Sequence, residues 1–287
     1  MRMDVIALPL VRIALTEDIG GGDVTTEAVV DVKARARAHI ESRGAWVLAG
    51  TAAAALAFRE LDPGARITWH VAEGTETNAG QRVAEIAGLA RAVLSAERVA
   101  LNFLQRLSGV ATVTRAFVRA VEGTGVRILD TRKTTPGLRF LEKQAVAVGG
   151  ASNHRYGLFD GVLVKENHVR AAGSLRAAIG RACAGKGDLQ VVVEVRSVEE
   201  ALEAAGLGID RVLLDNFAPA QVADVVTRLG AARLRRAPEV EVSGGITLQN
   251  VKAYAIPGVS YISVGALTHS APAADLSLLV DTVECPA

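Results

Sequence analysis

Two rhythms of hydrophobic and polar positions divide the chain near residue 126. Beyond it, short apolar runs recur, each ending on a polar residue or a glycine. Val126, Ile128 and Leu129 lead into Asp130, Thr131, Arg132 and Lys133, before the turn signal Pro136-Gly137. Gly161–Val164 ends in Lys165, Glu166, Asn167 and His168, Val191–Val193 in Glu194, and Val212–Leu214 in Asp215 and Asn216. Val240–Val242 ends in Ser243-Gly244-Gly245, and Tyr261–Val264 in Gly265. Such runs read as buried strands. The gaps predict helices over 174–184, 197–205 with Ser197 as N-cap, 218–229 and 248–255. With Ala145–Val148 as a further short strand, the count is six or seven, below the eight of a closed α/β barrel. The tail, 275–283, reads as one more helix.

Upstream the pattern changes. A short helix is expected over 8–15, beginning near Pro9, and Asp23 is placed to cap a turn after Gly20-Gly21-Gly22. The three glycines lack a following Lys-Ser/Thr, so they read as a loop between elements. Ala34–Ser42, Ile67–Val71 and Gln81–Ala87 read as strands, Ala45–Leu48 as a returning one, and Gly50 onward as an alanine-rich helix. A helix follows over 89–107, with a break at Ser108-Gly109 and a second helix over 110–121. This first third is an α+β pattern with an antiparallel sheet.

The 287 residues suffice for one large domain or two ordinary ones. Half are hydrophobic and 22% are charged, which argues against disorder. A net charge of +1, with neither sign in blocks, argues against a general nucleic-acid or membrane-surface binder. Cys183 and Cys285 are far apart in sequence, as expected of a reduced cytoplasmic protein without a disulfide framework. The N-terminal stretch lacks a signal-peptide shape, and no apolar stretch is long enough to span a bilayer.

The candidate chemistry gathers at the strand ends. Arg132, Lys133, His154, Arg155, Lys165 and His168 would repel one another on one barrel face unless a polyanion held them. Glu194 and Asp215 end successive strands and should stand side by side. There they could hold Mg2+ through water, bind ribose hydroxyls, stabilise a developing cation, or simply neutralise nearby lysines. The glycines after the last two strands suit a phosphate held by backbone N–H groups. Glu97 and Arg98, judged by spacing alone, belong to a solvated helix face.

The chain resembles the quinolinate phosphoribosyltransferase family, also called nicotinate-nucleotide pyrophosphorylase (carboxylating). The resemblance rests on LTEDIGGGDVTTEAV, ERVALNFLQRLSGVAT, DTRKTTPGLRFLEKQAVAVGGASNHRYGLFDGVLVKENH, VEVSGGITLQN and ISVGALTHS, and covers nearly the whole chain. It implies an α/β protein: an N-terminal α/β sandwich with a four-stranded antiparallel sheet (1–107), and an incomplete, six- to seven-stranded α/β barrel (108–267). A C-terminal helix (268–287) would pack back on the first domain. The implied reaction joins quinolinate to phosphoribosyl pyrophosphate, giving nicotinate mononucleotide, pyrophosphate and carbon dioxide in NAD synthesis. Mg2+ would accompany the phosphoribosyl donor, with no organic cofactor.

The resemblance further implies that Arg132, Lys133, His154, Arg155 and Lys165 hold quinolinate, with Thr131 in the same loop. Arg98 matches the arginine that family members lend across a homodimer interface; a higher oligomer is also compatible. Glu194 and Asp215 match acids beside the ribose and its Mg2+, while Ser243, Gly244, Gly245, Gly265 and Ala266 match the 5′-phosphate loops. Lys133, Lys165, Glu194 and Asp215 are the implied catalytic set. Three other readings compete: a Schiff-base lyase using Lys165, a molybdenum-transport-type relative with another acceptor, and a non-catalytic binding protein.

Overall fold

The computed structural model describes residues 3–285. Its first elements are α1 (Met3–Ile19), α2 (Val24–Val29), β1 (Arg35–Ser42), α3 (Thr51–Leu61), β2 (Arg66–Trp69), β3 (Gln81–Leu89) and α4 (Ala90–Ala120). Next come β4 (Arg127–Leu129), α5 (Arg139–Val148), β5 (Val162–Val164), α6 (Glu166–Ala172), α7 (Leu175–Gly185) and β6 (Val191–Val195). Then follow α8 (Val198–Gly206), β7 (Arg211–Asp215), α9 (Pro219–Ala231) and β8 (Glu239–Ser243). The last are α10 (Val251–Tyr254), β9 (Tyr261–Ser263), α11 (Ala266–His269) and β10 (Leu276–Glu284).

These elements form two units, one of residues 3–115, 135–150 and 270–285, the other of 116–134 and 151–269. This grouping by contacts interleaves the chain around the expected division at 107/108. In the first unit an antiparallel sheet runs in the order β10-β1-β3-β2. Ala36, Ala38 and Ile40 alternate along β1 and are buried, while Arg35 and Arg37 on the other face are exposed and His39 of that face is covered beside Asp281. Helix α1 packs against α3. Its buried stripe, Ala7, Val11 and Leu15, has the four-residue spacing of a helix face. That packing carries α1 through Pro9, which removes a single backbone donor, so the helix is longer than the 8–15 segment expected.

Three further expectations fail in this unit for identifiable reasons. Ser108-Gly109 does not break α4. Ser108 Oγ is buried, donating to Ala49 O at 3.2 Å and accepting from Ala49 N at 3.0 Å. A Cβ on Gly109 would lie 1.8 Å from Pro272 O, so the glycine serves close approach inside a continuous helix. Ala145–Val148 belongs to α5 and not to a strand. Leu141, Glu142, Ala145 and Val146 are buried at helical spacing, with Glu142 accepting from Arg106 at 2.7 Å and from Thr135 Oγ1 at 2.7 Å. The tail is a strand and not a helix. Val280, Thr282 and Val283 favour extended backbone, Leu276 and Leu278 alternate inward, and β10 pairs with the otherwise open edge of β1. The last two residues of the expected 268–287 helix lie outside the described residues. Ala45–Leu48 yields only an isolated bridge between Val47 and Glu76.

The second unit holds a six-stranded parallel sheet in the order β4-β9-β8-β7-β6-β5. Its strands are near-continuous apolar runs, as strands covered on both faces must be. The strand order ends at β4 and β5, so the barrel is incomplete. The chain from 151 to 161 leaves β4's other side, where Ser152 bridges Leu129, and runs to β5 without helix or strand of its own. Helix α8 begins as expected, with the Ser197 side chain accepting from Glu200 N at 3.1 Å. In the first unit Asp23 likewise caps α2, accepting from Thr26 N at 3.0 Å.

Candidate active site

Parallel pairing brings the C-terminal ends of the six strands to one side of the second unit. Register then decides which side chains meet. Val164 is level with Val193, so Lys165 falls beside Glu194, and its ammonium donates to Glu194 Oε2 at 2.8 Å. Glu194 stands opposite Leu213, whereas Asp215 stands opposite Ser243. The two acids share a face but are staggered by two residues, about 7 Å of strand. They are not level, as strand ends alone had suggested.

The strand ends enclose a cavity of about 430 Å3. Thr131, Arg132 and Lys133 reach it from beyond β4, and His154, Arg155 and Lys165 from the seam and β5. Glu194 and Asp215 line it from β6 and β7, with Ser243, Gly244, Gly245, Gly265 and Ala266 closing the side beyond β8 and β9. Arg98 is elsewhere, exposed on α4 in the first unit. Its neighbour Glu97 is half-buried, and burial lifts its carboxyl above the ordinary range against the pull of the Arg98 charge.

The cations are unequal. Arg155 donates to Gly161 O at 2.9 Å, and burial, reinforced by the nearby Arg132 charge, lowers its pKa. A site already crowded with positive charge is one that favours an anion. Lys133 is exposed, but its loop is pinned: its N–H donates to Thr131 Oγ1 at 3.0 Å, and its carbonyl accepts from Thr268 Oγ1 at 2.8 Å. A Cβ at Gly265 would come within 3.2 Å of Lys133 Cδ, so this glycine leaves room for the lysine stem.

The side beyond β8 depends on glycine in a different way. Gly244 adopts φ +96°, and a Cβ there would meet Asn216 Oδ1 at 2.2 Å. Asn216 itself is left-handed, with φ 60°, and its N–H donates to Ser243 O at 2.8 Å. Asn250 closes the loop, accepting from Thr247 N at 2.8 Å and donating to Gly245 O at 2.9 Å.

Two fully buried carboxylates of the second unit were not singled out from the sequence. Glu241 of β8 lines the cavity, accepts from Arg211 Nη1 at 3.0 Å and from Ser263 Oγ, and lies 3.4 Å from His154 Nε2. Burial alone would raise its pKa; the hydrogen bond from His154 and the charge that ring carries when protonated, the Ser263 hydrogen bond and the Arg211 charge outweigh it, and the net shift is downward. Asp130 accepts from Asn153 Nδ2 at 2.6 Å and His154 N at 2.8 Å. The signal for Glu241 was available: a charged residue inside the apolar run Val240–Val242 is rarely buried without a partner. Thr247, part of the glycine stretch after β8, also lines the cavity, as do Ser263 and His269, which nothing in local sequence marked.

Among the described residues no group of three or more His, Cys, Asp or Glu could hold a metal ion. Glu194 and Asp215 suit instead an Mg2+ that keeps most of its waters and its contacts to a bound polyphosphate.

The chain matches two families along its length. The one described as quinolinate phosphoribosyl transferase, N-terminal domain, matches residues 23–108, and the corresponding C-terminal domain matches residues 110–279. A probable nicotinate-nucleotide pyrophosphorylase (carboxylating) of Bacillus subtilis is 41% identical over 263 residues, covering 91% of this chain and 89% of its own. Quinolinate phosphoribosyltransferase (decarboxylating) 1 of Nicotiana glauca is 39% identical, covering 95% and 82%. The solved nicotinate-nucleotide pyrophosphorylase of Francisella tularensis superposes with a TM-score of 0.91 at 38% identity, covering 98% of both chains. The chain therefore belongs to the quinolinate phosphoribosyltransferase family.

Proposed function

We propose that this chain transfers the phosphoribosyl group of phosphoribosyl pyrophosphate to the ring nitrogen of quinolinate. Nicotinate mononucleotide, pyrophosphate and carbon dioxide are the products. The observation that carries this reading is the convergence of four cations, three acids and two glycine turns on one cavity. Arg132, Lys133, Arg155 and Lys165 fix the two quinolinate carboxylates, so that the ring nitrogen faces the anomeric carbon. The nitrogen–carbon bond forms as the carbon–oxygen bond to pyrophosphate breaks. Glu194 and Asp215 stabilise the oxocarbenium-like charge between those events. The resulting pyridinium accepts the electron pair left as carbon dioxide departs, and solvent protonates the ring carbon. Bound Mg2+ would neutralise pyrophosphate, and Glu194 and Asp215 would hold it through water.

Arg98 completes the site in this reading, entering the cavity of a second copy to touch a quinolinate carboxylate. The reaction belongs in the cytoplasm, consistent with two free cysteines. Among the described residues no helix is long and apolar enough to cross a membrane. A Schiff-base role for Lys165 is disfavoured by its ion pair with Glu194.

Incubation with quinolinate, phosphoribosyl pyrophosphate and Mg2+ should release carbon dioxide and pyrophosphate in equal amounts. Absence of both products refutes the reading. Mixing Arg98→Ala with Lys133→Ala should restore activity in heterodimers, since one of their two sites carries neither change. If subunits exchange and activity stays absent, Arg98 acts only within its own chain's solvated surface.

A further inference from the structure

We propose that Glu241 is a positioning residue for quinolinate binding, acting through His154 on the segment that carries Arg155. The proposal rests on the substrate assignment above. In the segment from 151 to 161 backbone pairing with β4 stops at Ser152, and beyond it side-chain contacts set the path. Asp130 fixes its backbone at Asn153 and His154. Glu241 fixes the ring.

The hydrogen bonds define the state of that ring. His154 Nδ1 accepts the backbone N–H of Arg155 at 2.7 Å. A ring nitrogen that accepts carries no proton, so the imidazole is neutral with its proton on Nε2. That N–H is aimed at Glu241 Oε1, 3.4 Å away. The same histidine thus links a buried carboxylate to the backbone of Arg155, whose guanidinium is held further along at Gly161 O.

Glu241 is not required simply to neutralise Arg211. That guanidinium also has Glu239, at 3.1 Å, and lies 3.8 Å over the Tyr261 ring. A fully buried carboxylate is expensive to retain, and this one faces the cavity and His154 as well as Arg211. In this assignment His154 is a neutral donor that organises the anion site and does not itself add to the positive charge.

Two substitutions and one spectroscopic measurement test this. Glu241→Gln can keep Oε1 toward His154 and Ser263, whereas Glu241→Leu keeps the volume and removes every acceptor. Nitrogen-15 spectra of His154 should show the Nε2–H tautomer in the wild type and in Glu241→Gln, and averaged tautomers in Glu241→Leu. The KM for quinolinate should rise about tenfold in Glu241→Leu, the scale expected when a buried donor loses its acceptor. The KM for phosphoribosyl pyrophosphate should stay within about twofold, and Glu241→Gln should recover most of the quinolinate affinity. An unaltered tautomer in Glu241→Leu, or equal losses for both substrates, overturns the proposal. If the leucine variant does not fold, a wild-type His154 protonated on Nδ1 is sufficient to overturn it. The spectra need no turnover, so failure of the substrate assignment and failure of this inference remain separate results.

Discussion

Glu241, which lines the cavity, and Asp130 of the strand-end segment after β4 are fully buried and each accepts hydrogen bonds from protein donors, while Lys133 and Lys165, which also line the cavity, are exposed. The buried, inner groups are held by the protein; the exposed, outer ones hold little but solvent and, for Lys165, a single carboxylate. The difference separates two kinds of residue that sequence lumps together as charged. Inner charges fix the shape of the site before any ligand arrives. Outer charges wait for the ligand, and their energy is released only on binding. Stability should therefore track the inner set and activity the outer set.

The strongest challenge to that division is Asp130→Ala. It leaves the Asn153 amide and the His154 N–H without their buried acceptor, which should destabilise by about 3 kcal/mol. Differential scanning calorimetry should show a fall of roughly 6–12 °C in melting temperature. A fall under about 2 °C would place Asp130 with the outer set.

Lys133→Ala is the converse. Turnover should drop on the order of 100-fold, as when an electrostatic stabiliser is removed, with the melting temperature unchanged within about 2 °C. Steady-state rates and a thermal scan on one preparation decide it.

Acid sharpens the comparison further. The folded pKa of Glu241 lies below its unfolded value, so its stabilising contribution is complete above the unfolded carboxylate pKa of about 4.3. The contribution is lost as pH falls through the lower folded value. The stability gap between wild type and Glu241→Gln should be present at pH 5 and close below about pH 4. A gap that persists unchanged at the lowest pH would show that the carboxylate charge is not what stabilises.

The smallest effect is expected for Lys165→Gln. Its partner Glu194 is mostly covered, but the lysine is 47% exposed, so the pair should contribute no more than about 1 kcal/mol to stability in urea unfolding. A larger loss would move Lys165 to the inner set.

Much of this site was legible because parallel strands write their functional residues at one predictable place. Lys165, Glu194, Asp215 and Ser243 could be found by asking which polar residue ends each apolar run. What stayed hidden depends on register or on distant chain. The stagger of Glu194 against Asp215 is set by pairing through Leu213, which no single strand reveals. Glu241 sits mid-strand, and its meaning comes from Arg211, His154 and Ser263 on other elements. The fold errors share that origin. Ser108-Gly109 looked like punctuation because Pro272, which the glycine admits, lies far along the chain. The tail looked helical because its leucines fit either period until β1 supplied an edge.

The pairing of β1 with β10 also has a temporal side. Ser42 pairs with Leu276, so roughly 230 residues must be translated between one partner and the other. At ribosomal speeds of about 5–20 residues per second, that interval is on the order of 10–50 s. During it, β1 has its β3 neighbour available and its other edge bare, an aggregation-prone surface by the usual rules for unpaired strands. The nascent chain must keep that edge shielded until Leu276–Glu284 leaves the exit tunnel and closes it.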